Sequence, residues 1–308
     1  MPELPEVETL ARGLQRELAG RRVLSVELGK TDFMDNPGEI ERELPGTRIE
    51  RVERYGKFML LRLQRWVAAG GAKQESALLV HLGMTGTMVP RPVNEPRAKH
   101  THLVGLLDDG RELRYIDPRR FGRIAWLAGE KLQGELLRFG ADPLQISLGE
   151  FAERIRGRRA RIKAMLLDQG VLRGVGNIYA DESLWKARIH PARIGARLSV
   201  EEIKKLHGAL QQILQRAIVL RGSSISDFLD AEGEPGEYQL HHKAYGREGK
   251  HCYRCKTPIR RIVVAGRSSF FCPNCQKAQR GMKSGRRVKP VVGRRAAKGA
   301  MKVALRKG

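Results

Sequence analysis

The chain opens Met1-Pro2-Glu3-Leu4-Pro5-Glu6-Val7-Glu8, and the reading of this stretch governs the rest. Leu4, Val7, Leu10, Ala11, Leu14 and Leu18 recur at helical spacing, so a helix begins almost at the first residue. Proline is favoured in a first helical turn, and carboxylates there complement the helix dipole; that alone accounts for Pro2 and Glu3. A second account is chemical. Met1 precedes a small residue, the usual context for removal of the initiator methionine, which leaves Pro2 as a free secondary amine. An α-amino group has a pKa of roughly 7.7–8.0, about 2.5 units below lysine. It attacks an aldehyde or a sugar C1′ to give a cationic iminium, a strong electron sink. Glu3 follows directly, placed to move protons beside that amine.

Outward from this helix come short alternating runs: Val23–Leu28, Arg48–Arg54, Phe58–Leu63, Ala77–Leu82, His102–Leu107, Leu113–Ile116 and Phe121–Leu127. Tyr55-Gly56-Lys57 and Asp108-Asp109-Gly110 read as turns between them. Many strands with polar turns predict a β-sandwich or barrel carrying one helix, over residues 1–135. The Gly/Ala-rich stretch 64–76 is expected to be a longer surface loop. Near residue 143 the period changes to helical. Leu148–Ile155, Ile162–Leu167, Val175–Lys186 and Val200–Leu220 form a second, α-helical domain over 145–232, the last helix opened by a Ser199/Glu202 capping box and followed by a turn from Ser226.

All four cysteines fall late. Cys252-x2-Cys255 and Cys272-x2-Cys275 stand sixteen residues apart, the spacing of a zinc ribbon or β-hairpin finger, here over 243–277. Four thiolates close the coordination sphere of one zinc ion, so the metal is structural and activates no water. Arg260, Arg261 and Arg267 lie between the pairs, a hairpin suited to nucleic acid, although a basic ribbon alone would equally suit a ribosomal or transcription protein.

The formal charge is +24 over 308 residues, with a pI near 10.5, which points to a polyanionic partner, nucleic acid first. Residues 280–308 hold eleven of the cations and no acid, and are expected to be a disordered basic tail; without them the body still carries +13. Clustered cysteines, no long apolar run and no signal-peptide pattern predict a soluble protein of a reducing compartment, with no membrane span.

Three further stretches complete the pattern: His81-Leu82-Gly83-Met84-Thr85-Gly86, Asp117-Pro118-Arg119-Arg120-Phe121-Gly122 and Gly174-Val175-Gly176-Asn177-Ile178-Tyr179-Ala180. With the N-terminal Pro-Glu-Leu-Pro-Glu and the cysteine finger, residues 1–277 closely resemble the bacterial formamidopyrimidine-DNA glycosylases. The sister endonuclease VIII family typically begins Pro-Glu-Gly-Pro-Glu, so Leu4 favours the first branch. The resemblance implies a multidomain α+β fold: an N-terminal β-sandwich with a flanking helix, a helix–two-turn–helix domain and a β-hairpin zinc finger. It implies a monomeric base-excision-repair enzyme of the bacterial cytoplasm. Such an enzyme removes oxidised purines such as 8-oxoguanine and formamidopyrimidines from double-stranded DNA and then cleaves the strand as an abasic-site lyase.

The resemblance also assigns roles. Pro2 is the nucleophile and Glu3 the general acid/base. Lys57 matches the proton donor of β-elimination, and Arg267 the finger arginine of δ-elimination. Met84, Arg119 and Phe121 match the side chains that fill the hole left by a flipped base. His100, Arg119 and Arg158 match DNA-contacting positions. Glu6 matches an active-site carboxylate, structural or a proton relay. Lys163 and Tyr245 are phosphate-contact candidates, and Glu182 a support for the N-terminus. On residue type alone, Met84 and Phe121 also suit a core and Lys57 a solvated turn. Gly174-x-Gly176-Asn177 reads either as a helix cap or, with its backbone N–H groups and the Asn177 amide, as a phosphate cradle. An endonuclease VIII-like enzyme for oxidised pyrimidines and an inactive zinc-containing DNA or RNA binder remain the alternatives.

Overall fold

A computed structural model describes residues 1–65, 75–224, 228, 231 and 233–278. The tail 280–308 and most of the loop expected over 64–76 and of the turn expected from Ser226 lie outside the described residues. The elements of the N-terminal half are α1 (Leu4–Leu18), β1 (Val23–Leu28), β2 (Met34–Asp35), α2 (Pro37–Glu43), β3 (Thr47–Tyr55), β4 (Phe58–Arg65), β5 (Ser76–His81), β6 (Thr87–Pro92), β7 (Thr101–Leu107), β8 (Arg111–Ile116), β9 (Arg123–Ala128) and α3 (Gly129–Leu137). Four helices follow, α4 (Leu148–Arg156), α5 (Ile162–Leu167), α6 (Asn177–Ala187) and α7 (Val200–Val219), and then a hairpin of β10 (Arg260–Val264) and β11 (Arg267–Phe271).

Two sheets face each other, in the orders β1-β7-β8-β6 and β2-β9-β5-β4-β3. Their inner faces and the apolar stripe of α1 make one core, with Val7, Leu10, Leu14 and Leu18 packed against Leu61, Leu78, Leu103 and Tyr115. α3 covers the outer face of the five-stranded sheet through Leu132, against Leu60 and Leu79. β6 carries Pro90 and Pro92, which lack the N–H a central strand needs; it sits at a sheet edge, where proline is tolerated.

Register determines what shares one end of the sandwich. Phe58 pairs with His81, and His81 with Arg123. The Gly56-Lys57 turn, the 82–86 loop and the 117–122 loop therefore leave the sheet at the same end. α1 crosses into the second domain: Leu4 belongs to the helical core with Val175, Tyr179 and Leu210, whereas Val7 onward belongs to the sandwich. A buried ionic cluster reinforces the junction, Arg54 reaching Glu8 and Asp142 at 2.7 Å each.

The finger docks on α6. Trp185 packs with Ala244, Cys252, Ile259 and Cys272, while Arg254 stacks 3.9 Å from the Trp185 ring centroid and donates to the Trp185 carbonyl at 2.7 Å. Ser199 and Glu202 exchange the two hydrogen bonds of the expected capping box.

Candidate active site

Pro2, Glu3, Glu6, Lys57, Met84, Asn177, Tyr245 and Arg267 line one cavity of about 800 Å³ between the sandwich, the helical domain and the finger. Met1 is half exposed at its wall. Glu3 is buried, and its carboxylate accepts from the Ile178 and Tyr179 backbone N–H groups at 3.0 and 3.4 Å. These are orphan donors of the α6 N-terminus, a ready anion site. The cradle expected there for a phosphate is thus engaged by the protein's own Glu3, while Asn177 faces the cavity. Gly176 is required by this contact, since a Cβ there would lie 2.2 Å from Glu3 Cδ. Gly174, at φ +96°, lets its carbonyl accept from the Leu4 N–H at 3.0 Å.

Behind Glu3 lies Glu6, also buried. Its Oε2 accepts from the Glu3 N–H at 2.8 Å, and its Oε1 from the Ser223 N–H at 2.6 Å and from the Tyr179 hydroxyl. Burial, and then the neighbouring Glu3 charge, push Glu6 up to about 7. Burial likewise raises Glu3, opposed by Lys57 and by the two backbone donors. Lys57 is lowered by burial, with Glu3 pulling the other way. Acid and cation are both displaced toward neutrality, the direction that suits proton transfer near pH 7.

The third group is exposed. Met84, Arg119 and Phe121 stand at the sheet end; Phe121 is 55% exposed, and the Arg119 guanidinium lies 4.5 Å from its ring centroid. Glycines press the two loops together: a Cβ at Gly83, where φ is +61°, would meet the Phe121 backbone at 2.4 Å. Beneath them Asp117 is fully buried and accepts from Thr85, Tyr115, Arg119 and Gly122. His100 is exposed on the neighbouring connection at φ +69°. Arg158 is exposed outside the cavity and pairs at 2.8 Å with Asp168, which lines it.

Two expectations are corrected. Lys163 is not open to a phosphate: it is fully buried, 2.7 Å from Asp181, and donates to the Ser268 carbonyl. Asp181 in turn accepts from the Phe270 N–H at 2.9 Å, so the pair holds β11, and with it Arg267, against the helices. Glu182 does not support the N-terminus; it accepts from the N–H groups of Lys243, Ala244 and Tyr245 and fixes the entry to the finger. Sequence reasoning assigned no role to Asp117, Asp181, Tyr179 or Ser223. The first two lie within or beside quoted motifs, yet nothing in residue type marks an aspartate as buried.

The hairpin turns at Ala265-Gly266, φ +51° and +70°, and presents Arg267 to the cavity. The four cysteine sulfurs lie within 4.8 Å of one another, with Cys255–Cys272 at 3.4 Å and Cys255–Cys275 at 3.5 Å. Those separations exceed the ~2.05 Å of a disulfide and approach the ~3.8 Å set by tetrahedral sulfur ligands at ~2.3 Å. The site fits one structural zinc ion.

A sandwich whose own N-terminus enters the cleft, a helical domain and a four-cysteine hairpin define the helix–two-turn–helix DNA glycosylase class. Family comparison narrows this. Residues 1–124 match the formamidopyrimidine-DNA glycosylase N-terminal domain, 139–229 the corresponding H2TH domain, and 249–278 the zinc finger found in FPG and IleRS. A formamidopyrimidine-DNA glycosylase of Solibacter usitatus is 43% identical over 90% of this chain and 100% of that protein. Two Lactococcus lactis Fpg structures, a mutant with Fapy-dG-containing DNA and the wild type with oxidised-pyrimidine-containing DNA, superpose with TM-scores of 0.80 and 0.79. Each is 33% identical and covers 90% of this chain and 100% of the other. The chain belongs to the formamidopyrimidine-DNA glycosylase family.

Proposed function

We propose that the protein excises oxidised purines from duplex DNA and cleaves the resulting abasic strand, through domains spanning about 1–135, 145–232 and 243–277. The observation that carries this reading is the placement of Glu3. Its carboxylate is fixed beside Pro2 on the cavity that also receives Lys57 and Arg267. Once Met1 is removed, the Pro2 nitrogen attacks C1′ of the flipped nucleotide. The C1′–base bond breaks, the base leaves with a proton, and the sugar ring opens with Glu3 as general acid. In the resulting iminium the C2′ proton is acidic; the Glu3 carboxylate, having given up its proton at ring opening, accepts it as the C3′–O bond breaks, and the 3′-phosphate leaves with Lys57 as proton donor. A second elimination, assisted by Arg267, releases the 5′-phosphate and leaves a one-nucleotide gap.

Met84, Arg119 and Phe121 occupy the hole in the duplex, their exposure being what such insertion requires. His100, Arg158 and Asn177 contact the DNA backbone, and the basic charge of the body supplies sequence-independent attraction. The four cysteines hold the hairpin in shape through the zinc ion, which takes no part in the chemistry.

Borohydride trapping tests the reading. Protein with a confirmed Pro2 terminus is mixed with duplex carrying 8-oxoguanine opposite cytosine, reduced and digested for mass spectrometry. The expected product is a DNA adduct on Pro2, missing with undamaged duplex and lost in Pro2→Gly and Glu3→Gln. No adduct from zinc-loaded protein would remove this mechanism. Oxidised pyrimidines, present in the DNA of one Lactococcus complex, belong in the same lesion panel.

A further inference from the structure

We infer that Asp117 is a positioning residue that locks the three loops carrying the DNA-facing side chains into one pre-formed platform; the inference rests on the duplex-filling role proposed above. Those side chains come from three separate segments. Met84 is on the β5–β6 loop, His100 on the β6–β7 connection, and Arg119 and Phe121 on the β8–β9 loop. Each segment is tied to Asp117. Its Oδ1 accepts from the Thr85 hydroxyl at 2.6 Å, next to Met84, and from the Arg119 N–H at 3.2 Å. Its Oδ2 accepts from the Gly122 N–H at 2.9 Å, next to Phe121, and from the Tyr115 hydroxyl at 3.3 Å. Its own N–H donates to the His100 carbonyl at 3.1 Å.

The carboxylate is suited to this because it is acceptor-only and has two oxygens, here meeting four donors. Asp117 is 0% exposed, so a donor left unpaired there carries the full cost of a buried unsatisfied group. The three glycines around it admit no slack. A Cβ at Gly122 would fall 1.9 Å from the Tyr115 hydroxyl, and one at Gly86 2.6 Å from the same atom. The three separate loops that carry Met84, His100, Arg119 and Phe121 would otherwise move independently. Held from below on a closed hydrogen-bond set, their backbones are already in place when a base leaves the stack, and less freedom is lost on insertion.

Asp117→Asn keeps the shape but turns one oxygen into a donor facing a backbone N–H that cannot accept, Arg119 on one side or Gly122 on the other. The test uses full-length, zinc-loaded Asp117→Asn and Thr85→Val. A duplex carrying 2-aminopurine beside a tetrahydrofuran abasic analogue reports unstacking by inserted side chains without any chemistry. Borohydride trapping on a natural abasic site reports Pro2 chemistry in parallel. Asp117→Asn is expected to weaken the fluorescence response roughly tenfold in protein concentration, Thr85→Val less and in the same direction. The loss of fluorescence response should exceed the loss of trapping by about fivefold or more. An unchanged response in both variants overturns the assignment. So does an equal loss in both assays, which marks general unfolding, or a wild type that does not unstack the duplex. A wild type that unstacks the duplex but traps no adduct leaves Asp117 in its role and removes the Pro2 chemistry instead.

Discussion

The corner around Glu3 and the wedge around Phe121 use the same device to opposite ends. In each, a buried carboxylate gathers backbone N–H groups, and glycines allow close packing, Gly176 against Glu3 itself and Gly86 and Gly122 against the Tyr115 hydroxyl that donates to Asp117. At the corner the carboxylate is itself placed for chemistry, and burial displaces its proton affinity. At the wedge it is a foundation, and Met84, Arg119 and Phe121 are exposed above it. One carboxylate lines the cavity, whereas the other is buried beneath side chains left open to solvent.

The widest gap between the two regions is expected in catalysis. Glu3→Gln keeps the shape and one acceptor but no ionisable proton, and single-turnover excision should fall by ~10³-fold or more. Gly176→Ala strikes the same corner indirectly. The new Cβ, 2.2 Å from Glu3 Cδ, must displace the carboxylate, and a loss on the order of 10²-fold is expected in the same assay. If Gly176→Ala left the rate intact, the Glu3 contact with α6 would not matter to catalysis.

Phe121→Ala sharpens the contrast from the other side. With its ring 55% exposed, truncation should leave the melting temperature within about 1 °C. Excision of a base-paired lesion should nevertheless slow roughly tenfold, since the duplex loses its filler.

The remaining effect is in stability and not in rate. Glu6 is raised in the fold to about 7 from the usual 4.5, so the folded state binds its proton more tightly than the unfolded chain. Its contribution is therefore intact below pH 4.5 and declines as pH rises through about 7, on the order of 3 kcal/mol in all. Denaturant titrations of wild type and Glu6→Gln across pH 5–8 should show the wild type losing ground relative to the variant as pH rises. A pH-independent difference would place Glu6 as an ordinary carboxylate.

Much of this was legible in advance because its signals are local. The spacing of Leu4, Val7, Leu10 and Leu14 wrote α1; the two Cys-x2-Cys knuckles wrote the metal site; Ser199 and Glu202 wrote the start of α7. α2 and β6 were not legible, the first because Pro37–Glu43 is too short to show a period, the second because Pro90 and Pro92 argue against any strand until its edge position is known. At the site, residue type suggested Pro2 and Glu3 but left Gly174-x-Gly176 divided between cap and cradle. It proved a cradle for a carboxylate 175 residues distant in sequence, a pairing that no window along the chain contains. Lys163 reads as a surface cation because its partner, Asp181, lies on another helix.

That long-range pairing bears on biosynthesis. Glu3 precedes its partners by some 175 residues and has no fixed position until Ile178 and Tyr179 have been made and folded. Leu4 likewise has no core to enter before the helical domain exists. A nascent chain, or a fragment truncated before α6, carries the proline and the glutamate but not their arrangement. The arrangement of the first turn is thereby deferred until the helical domain has been built.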